Sequence, residues 1–142
     1  MSNRAHTLRS AAFKAQSGRC YYCAAPIWLT DPESFAVFHG LRPRQARLFG
    51  CTAEHLVPAE DGGPMNATNI VAACAFCNSR RHHPPIAKDP AQYRSHVQRR
   101  LAAGRWHRHA WAPNKVFQRT PPAAGSRLCV VAGAAEHRRW AS

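Results

Sequence analysis

Residues 52–83 read TAEHLVPAEDGGPMNATNIVAACAFCNSRRHH. Near its end, Cys74 and Cys77 stand with two residues between them, followed at once by Asn78 and a run of Arg and His. A second pair with the same spacing, Cys20 and Cys23 in CYYC, lies upstream. Two intervening residues let both thiolates of one tight turn face one metal ion. Two such knuckles complete a tetrahedral site of four cysteines, closed to substrate and therefore structural, with Zn²⁺ the expected ion. The 50 residues between the pairs exceed the gap of a zinc ribbon, so a folded segment is expected there. Cys51 and Cys129 have no partner at ligand spacing and read as small apolar residues.

Local patterns fill in that segment. CTAEHLVP, ending at Pro58, has the β-branched and alternating character of a strand. AEDGGPMNATN is dense in turn residues and reads as a loop. IVAAC reads as a second strand, and AFCNSRRHH as a helix that stops before Pro84–Pro85. Upstream, TLRSAAFKAQSG reads as a helix capped by Thr7 and ended by Gly18. The CYYC knuckle then leads into a short strand, and TDPESFAVFHG is a short helix with Thr30 or Asp31 as cap. RPRQARLFG is a basic segment with helical character. Downstream, DPAQYRSHVQRRLAAG is the clearest helix. Asp89 caps it, Pro90 opens it, Tyr93, Val97 and Leu101 share a face, and Gly104 closes it.

The chain has 142 residues, a formal net charge of +13 and a sequence pI near 10.8. Seventeen of its 20 basic residues are Arg, whose planar fork grips phosphate with two hydrogen bonds. A nucleic-acid partner follows from that balance. No apolar run approaches membrane-spanning length, and the N-terminal MSNRAHTLRS lacks the apolar core of a secretory signal. The expectation is a reducing, cytoplasmic compartment, where paired thiols hold metal rather than form disulfides.

The spacing of His55, Asn69 and Asn78, with AEHLVPAEDGG, NATNIVAAC and CNSRRHH around them, resembles the HNH nuclease family of ββα-metal endonucleases. The flanking cysteine pairs are similar to those of its zinc-bearing branch, and the resemblance covers roughly residues 8–85. It implies a metal-dependent DNA endonuclease that leaves 5′-phosphate and 3′-hydroxyl ends. His55 would be the general base and Asn69 the central Asn, whose amide hydrogen-bonds backbone across the loop. Asn78 would be a ligand of a catalytic divalent ion, Mg²⁺ or another, and Glu54 would stand at the place of an acidic ligand. His82, one turn beyond Asn78, would be a third ligand or a phosphate contact. Arg80 and Arg81 would grip the nucleic-acid backbone. The family more often has Asp where this chain has Glu54. Adjacent strand residues point to opposite faces, so Glu54 and His55 meet at one metal only through a bend or bulge.

The expected fold class is α+β: a small zinc-stapled treble-clef (ββα-metal) domain with flanking helices over 8–109. Residues 110–142 are expected to be a disordered or weakly structured tail, with a short strand at RLCVVAG. Two other functions fit the same features. One is a catalytically inactive, zinc-stabilised nucleic-acid-binding module, and the other a zinc-stabilised surface for a protein partner.

Overall fold

A computed structural model of the chain describes residues 3–84 and 88–107. The tail expected over 110–142, with its strand at RLCVVAG and Cys129, lies outside the described residues.

Helix α1 (Asn3–Ala15) starts earlier than its sequence pattern indicates. Thr7 is not its cap: it sits one turn inside, and its hydroxyl donates to the Asn3 carbonyl at 3.0 Å. That back-bond is the alternative a mid-helix hydroxyl has to capping. The short strand expected after the CYYC knuckle is absent among the described residues. Single bridges, Arg19 to Pro26 and Trp28 to Gly50, stand in its place. The chain turns away there because the next helix, α2 (Pro32–His39), begins at once. Asp31 caps it, accepting from the Ser34 amide at 2.9 Å, with Pro32 in the first turn. The basic segment folds as α3 (Pro43–Ala46) followed by a 3₁₀ turn over Arg47–Phe49.

The hairpin has strands β1 (Cys51–His55) and β2 (Ile70–Cys74), paired antiparallel. Its register runs unbroken from Cys51 opposite Cys74 to His55 opposite Ile70. A two-stranded sheet leaves both outer edges unpaired. One edge is met by a side chain that imitates backbone: the Gln16 amide donates to the Ala72 carbonyl and accepts from the Ala72 N–H, both at 2.8 Å. The Tyr21 amide donates to that same carbonyl at 2.9 Å. The polar end of α1 and the first knuckle are thereby fastened to β2.

Helix α4 (Ala75–Arg81) follows β2 directly, and α5 (Pro90–Ala102) packs Tyr93 and Val97 into the core. Asp89 caps α5 through the Ala91 and Gln92 amides, both at 3.0 Å. The core is small. Tyr22, Phe49, Tyr93 and Val97 surround the four cysteines, and Ala72 and Ala73 bring the sheet close to them. Few large apolar side chains are available, so a metal at the cysteines would supply much of the cohesion. The arrangement is a mixed helix and two-strand α+β domain with clustered cysteines, the order of a ββα-metal fold.

Candidate active site and metal centre

The four knuckle cysteines meet as their spacing predicts. The Sγ atoms of Cys20, Cys23, Cys74 and Cys77 all lie within 4.8 Å of one another, and all four residues are buried. Cys23 and Cys74 are 3.9 Å apart at sulfur. Four thiolates around one Zn²⁺ at about 2.3 Å would stand about 3.8 Å apart, so the cluster fits the ion. Backbone amides face the sulfurs: Cys74 N–H donates to Cys20 Sγ and Cys77 N–H to Cys74 Sγ, each at 3.3 Å. Such donors favour the charged thiolate over the thiol. The donor set is all sulfur and closed, which suits a structural ion. Cys51 is buried nearby but outside the cluster, and burial pushes its thiol up to about 11, so it stays neutral.

At the far end of the hairpin, β1 and α4 enclose a cleft of about 180 Å³. Glu54, His55, Asn78 and His82 line it, and so does Glu60 of the loop between the strands. Thr52 and Glu54, two apart on β1, both face α4. The Thr52 hydroxyl donates to the Ala73 carbonyl at 2.8 Å and accepts from Asn78 Nδ2 at 2.9 Å. With its amino group committed there, Asn78 keeps Oδ1 as its acceptor for the cleft.

Glu54 is 1% exposed and held from several sides. Its Oε1 accepts from the Tyr22 hydroxyl at 2.9 Å and from Arg81 Nη1. Burial, with the Glu54 charge beside it, holds the Tyr22 hydroxyl well above its ordinary value, so Tyr22 remains a donor. Oε2 faces His82 Nε2 at 3.2 Å. That is hydrogen-bond distance, so the carboxylate and the imidazole meet directly at the cleft.

Arg81, expected from the sequence to grip a nucleic-acid backbone, is not at the surface. It is 1% exposed, and its guanidinium pairs with Glu54. It also donates to the carbonyls of His55 (2.7 Å), Leu56 (2.8 Å) and Lys88 (2.9 Å). These bonds commit four of its five N–H donors to the chain's own oxygens, and burial keeps the fifth from a phosphate. Arg80, its neighbour, is exposed, with its guanidinium 4.2 Å from the centroid of the Phe76 ring.

No bulge brings Glu54 and His55 to one face of β1, since the ladder pairs residue for residue through His55. His55 lines the cleft as the last residue of β1, where the ladder ends and Arg81 gathers the His55 and Leu56 carbonyls. Its Nε2 is buried without a hydrogen-bond partner among the described residues.

Asn69 closes the loop between the strands. Its Oδ1 accepts from Val57 N–H at 2.8 Å, and its Nδ2 donates to the carbonyls of Val57 (2.9 Å) and Pro64 (3.1 Å). The two glycines of the loop have separate reasons. Gly62 adopts a φ of +79° after the 3₁₀ turn over Ala59–Asp61. Gly63 lies so near Val57 that a Cβ would stand 1.9 Å from its carbonyl oxygen and 2.8 Å from Asn69 Nδ2. The loop that carries Glu60 to the cleft is thus folded around one amide and one missing side chain.

Searches of the curated proteins and of the solved structures found no significant match. Residues 47–84, the stretch that holds Glu54, His55, Asn69, Asn78 and His82, match the family model of the HNH endonucleases.

Proposed function

We propose that the protein is a metal-dependent DNA endonuclease of the HNH type, hydrolysing phosphodiester bonds with a histidine base and one divalent ion. The observation that carries the reading is the convergence of His55, Glu54, Asn78 and His82 on one cleft, inside the segment that matches the family. His55 takes the proton of the attacking water as general base. Glu54 Oε2, His82 Nε2 and Asn78 Oδ1 would hold Mg²⁺ or another divalent ion. When bound, that ion would supply charge stabilisation for the phosphate and its leaving oxygen. Asn69 acts through position: it fixes the loop against Val57, and with it the entry to the cleft. Arg80 offers an exposed cation for backbone phosphate, and the net charge of +13 draws the polymer in.

The assay is cleavage of plasmid by purified, zinc-loaded protein titrated with Mg²⁺, Mn²⁺, Ni²⁺ and Zn²⁺. Nicked or linear product that depends on the added ion and is lost in His55→Ala is the expected result. A second reading is favoured by one feature, the buried pairing of Glu54 with Arg81, which already neutralises the carboxylate. On that reading the domain binds nucleic acid through the same zinc-held scaffold and cuts nothing. Retained DNA affinity with no cleavage under any ion would establish it.

A further inference from the structure

Helices α4 and α5, with the segment just after α5, enclose a second groove of about 980 Å³ that shares no lining residue with the Glu54–His55 cleft. Its walls include Phe76, Arg80, Lys88, His96, Arg100 and Trp106, and no carboxylate lines it among the described residues. Phe76 and Trp106 meet edge to face, with centroids 5.3 Å apart. The Arg80 guanidinium lies 4.2 Å from the Phe76 centroid and 5.7 Å from that of Trp106. Lys88 and Arg100 are exposed. His96 is held below its ordinary value, first by burial and then by the positive charges of Lys88, Arg100 and Arg99.

Cations with no carboxylate among the groove's described lining residues call for phosphate, but a duplex would answer only half of this surface. Its bases are stacked inward, so it offers phosphates and sugars to a protein groove and no free base face. Aromatic and guanidinium planes gain most from a base that has left the stack. We infer that this groove holds single-stranded DNA, one base lying against the Phe76–Arg80–Trp106 platform and the flanking phosphates on Lys88 and Arg100. The choice of DNA rests on the nuclease reading of the first cleft. The new element is a preference for an unpaired strand, which would direct the enzyme to junctions of duplex and single strand.

The test is fluorescence anisotropy with zinc-loaded protein and no added divalent ion. The probes are a blunt duplex of about 16 base pairs and the same duplex with a single-stranded tail of about 10 nucleotides. The tail should tighten binding at least about 5-fold, and Trp106→Ala should weaken tailed binding by about 5- to 150-fold while changing blunt-duplex binding less than about 2-fold. Trp106 also packs on Tyr93, so melting curves accompany every variant. The double variant Lys88→Ala/Arg100→Ala removes only exposed side chains and should also abolish most of the advantage of the tail. Equal affinity for blunt and tailed probes overturns the inference and leaves the nuclease reading standing. A tail preference that survives the double variant overturns it as well, because the strand then lies elsewhere. Binding of neither probe overturns both readings.

Discussion

Arg81 and Glu54 form an ion pair inside the domain, each 1% exposed, and tie the end of α4 to the loop end of β1. Removing one partner of such a pair strands a charge without solvent. Arg81→Ala should therefore destabilise the domain by about 3–5 kcal/mol. The double variant Arg81→Met/Glu54→Leu should recover much of that loss. Arg80→Ala, one residue away on the surface, should change stability by no more than about 0.5 kcal/mol. Denaturant melts of the four proteins check this. Equal stability of Arg81→Ala and Arg80→Ala would contradict the buried pair.

Zinc is expected to be part of the fold. Cys74 supplies a sulfur, caps α4 through the Cys77 amide and pairs with Cys51 across the sheet, so Cys74→Ser should lose metal and unfold the domain together. Metal content and circular dichroism on the same sample measure it. Well-folded wild-type protein without zinc would refute the assignment.

The two loop glycines should respond differently to alanine. Gly62→Ala meets open space and costs only its strained φ, about 1 kcal/mol. Gly63→Ala drives a Cβ into the Val57 carbonyl and against the Asn69 amide. It should displace the loop and abolish cleavage even if the cysteines still hold zinc. Activity of Gly63→Ala near that of wild type would mean that the loop does not shape the cleft.

DNA affinity should be dominated by phosphate contacts. With about five phosphates engaged, raising salt from about 50 to 200 mM should weaken binding roughly 500-fold. Arg80→Ala should lower the slope of log affinity against log salt by about one contact. Binding measured across that salt range tests both, and a flat response would count against DNA as partner.

His55 should separate chemistry from folding. It is no ligand of the cysteine cluster, so His55→Ala should keep zinc, melting temperature and most DNA affinity. Its cleavage rate should fall by about 10²–10⁴, the usual contribution of a general base. Added metal should not restore it, whereas imidazole or higher pH should do so in part. Asn78→Ala should instead weaken the divalent ion, so excess Mg²⁺ or Mn²⁺ should recover part of its rate. Wild-type cleavage by His55→Ala would make the histidine a packing residue and remove the basis of the mechanism.

By itself, the sequence determined the features set by spacing and local chemistry. Cys-x-x-Cys geometry brings two sulfurs to one point within a few residues, and two matched pairs name the staple. Asp31–Pro32 and Asp89–Pro90 start their helices through bonds made within one turn. Proline, glycine and asparagine mark the loop between two short β-branched runs, and the spacing of His55, Asn69 and Asn78 marks the candidate site. Tertiary structure decided what adjacent residues cannot show. Arg80 and Arg81 are one residue type side by side, yet α4 points one at solvent and the other at Glu54, which lies 27 residues away in sequence. Gln16 looks like a polar residue at a helix end, and only the fold brings it to Ala72 to complete a sheet edge. Glu60 gains its place at the cleft because a loop closes over Gly63. Each depends on which surface a side chain meets after the chain has doubled back. No local pattern records that, since hydrogen bonds and ion pairs form across space rather than along sequence.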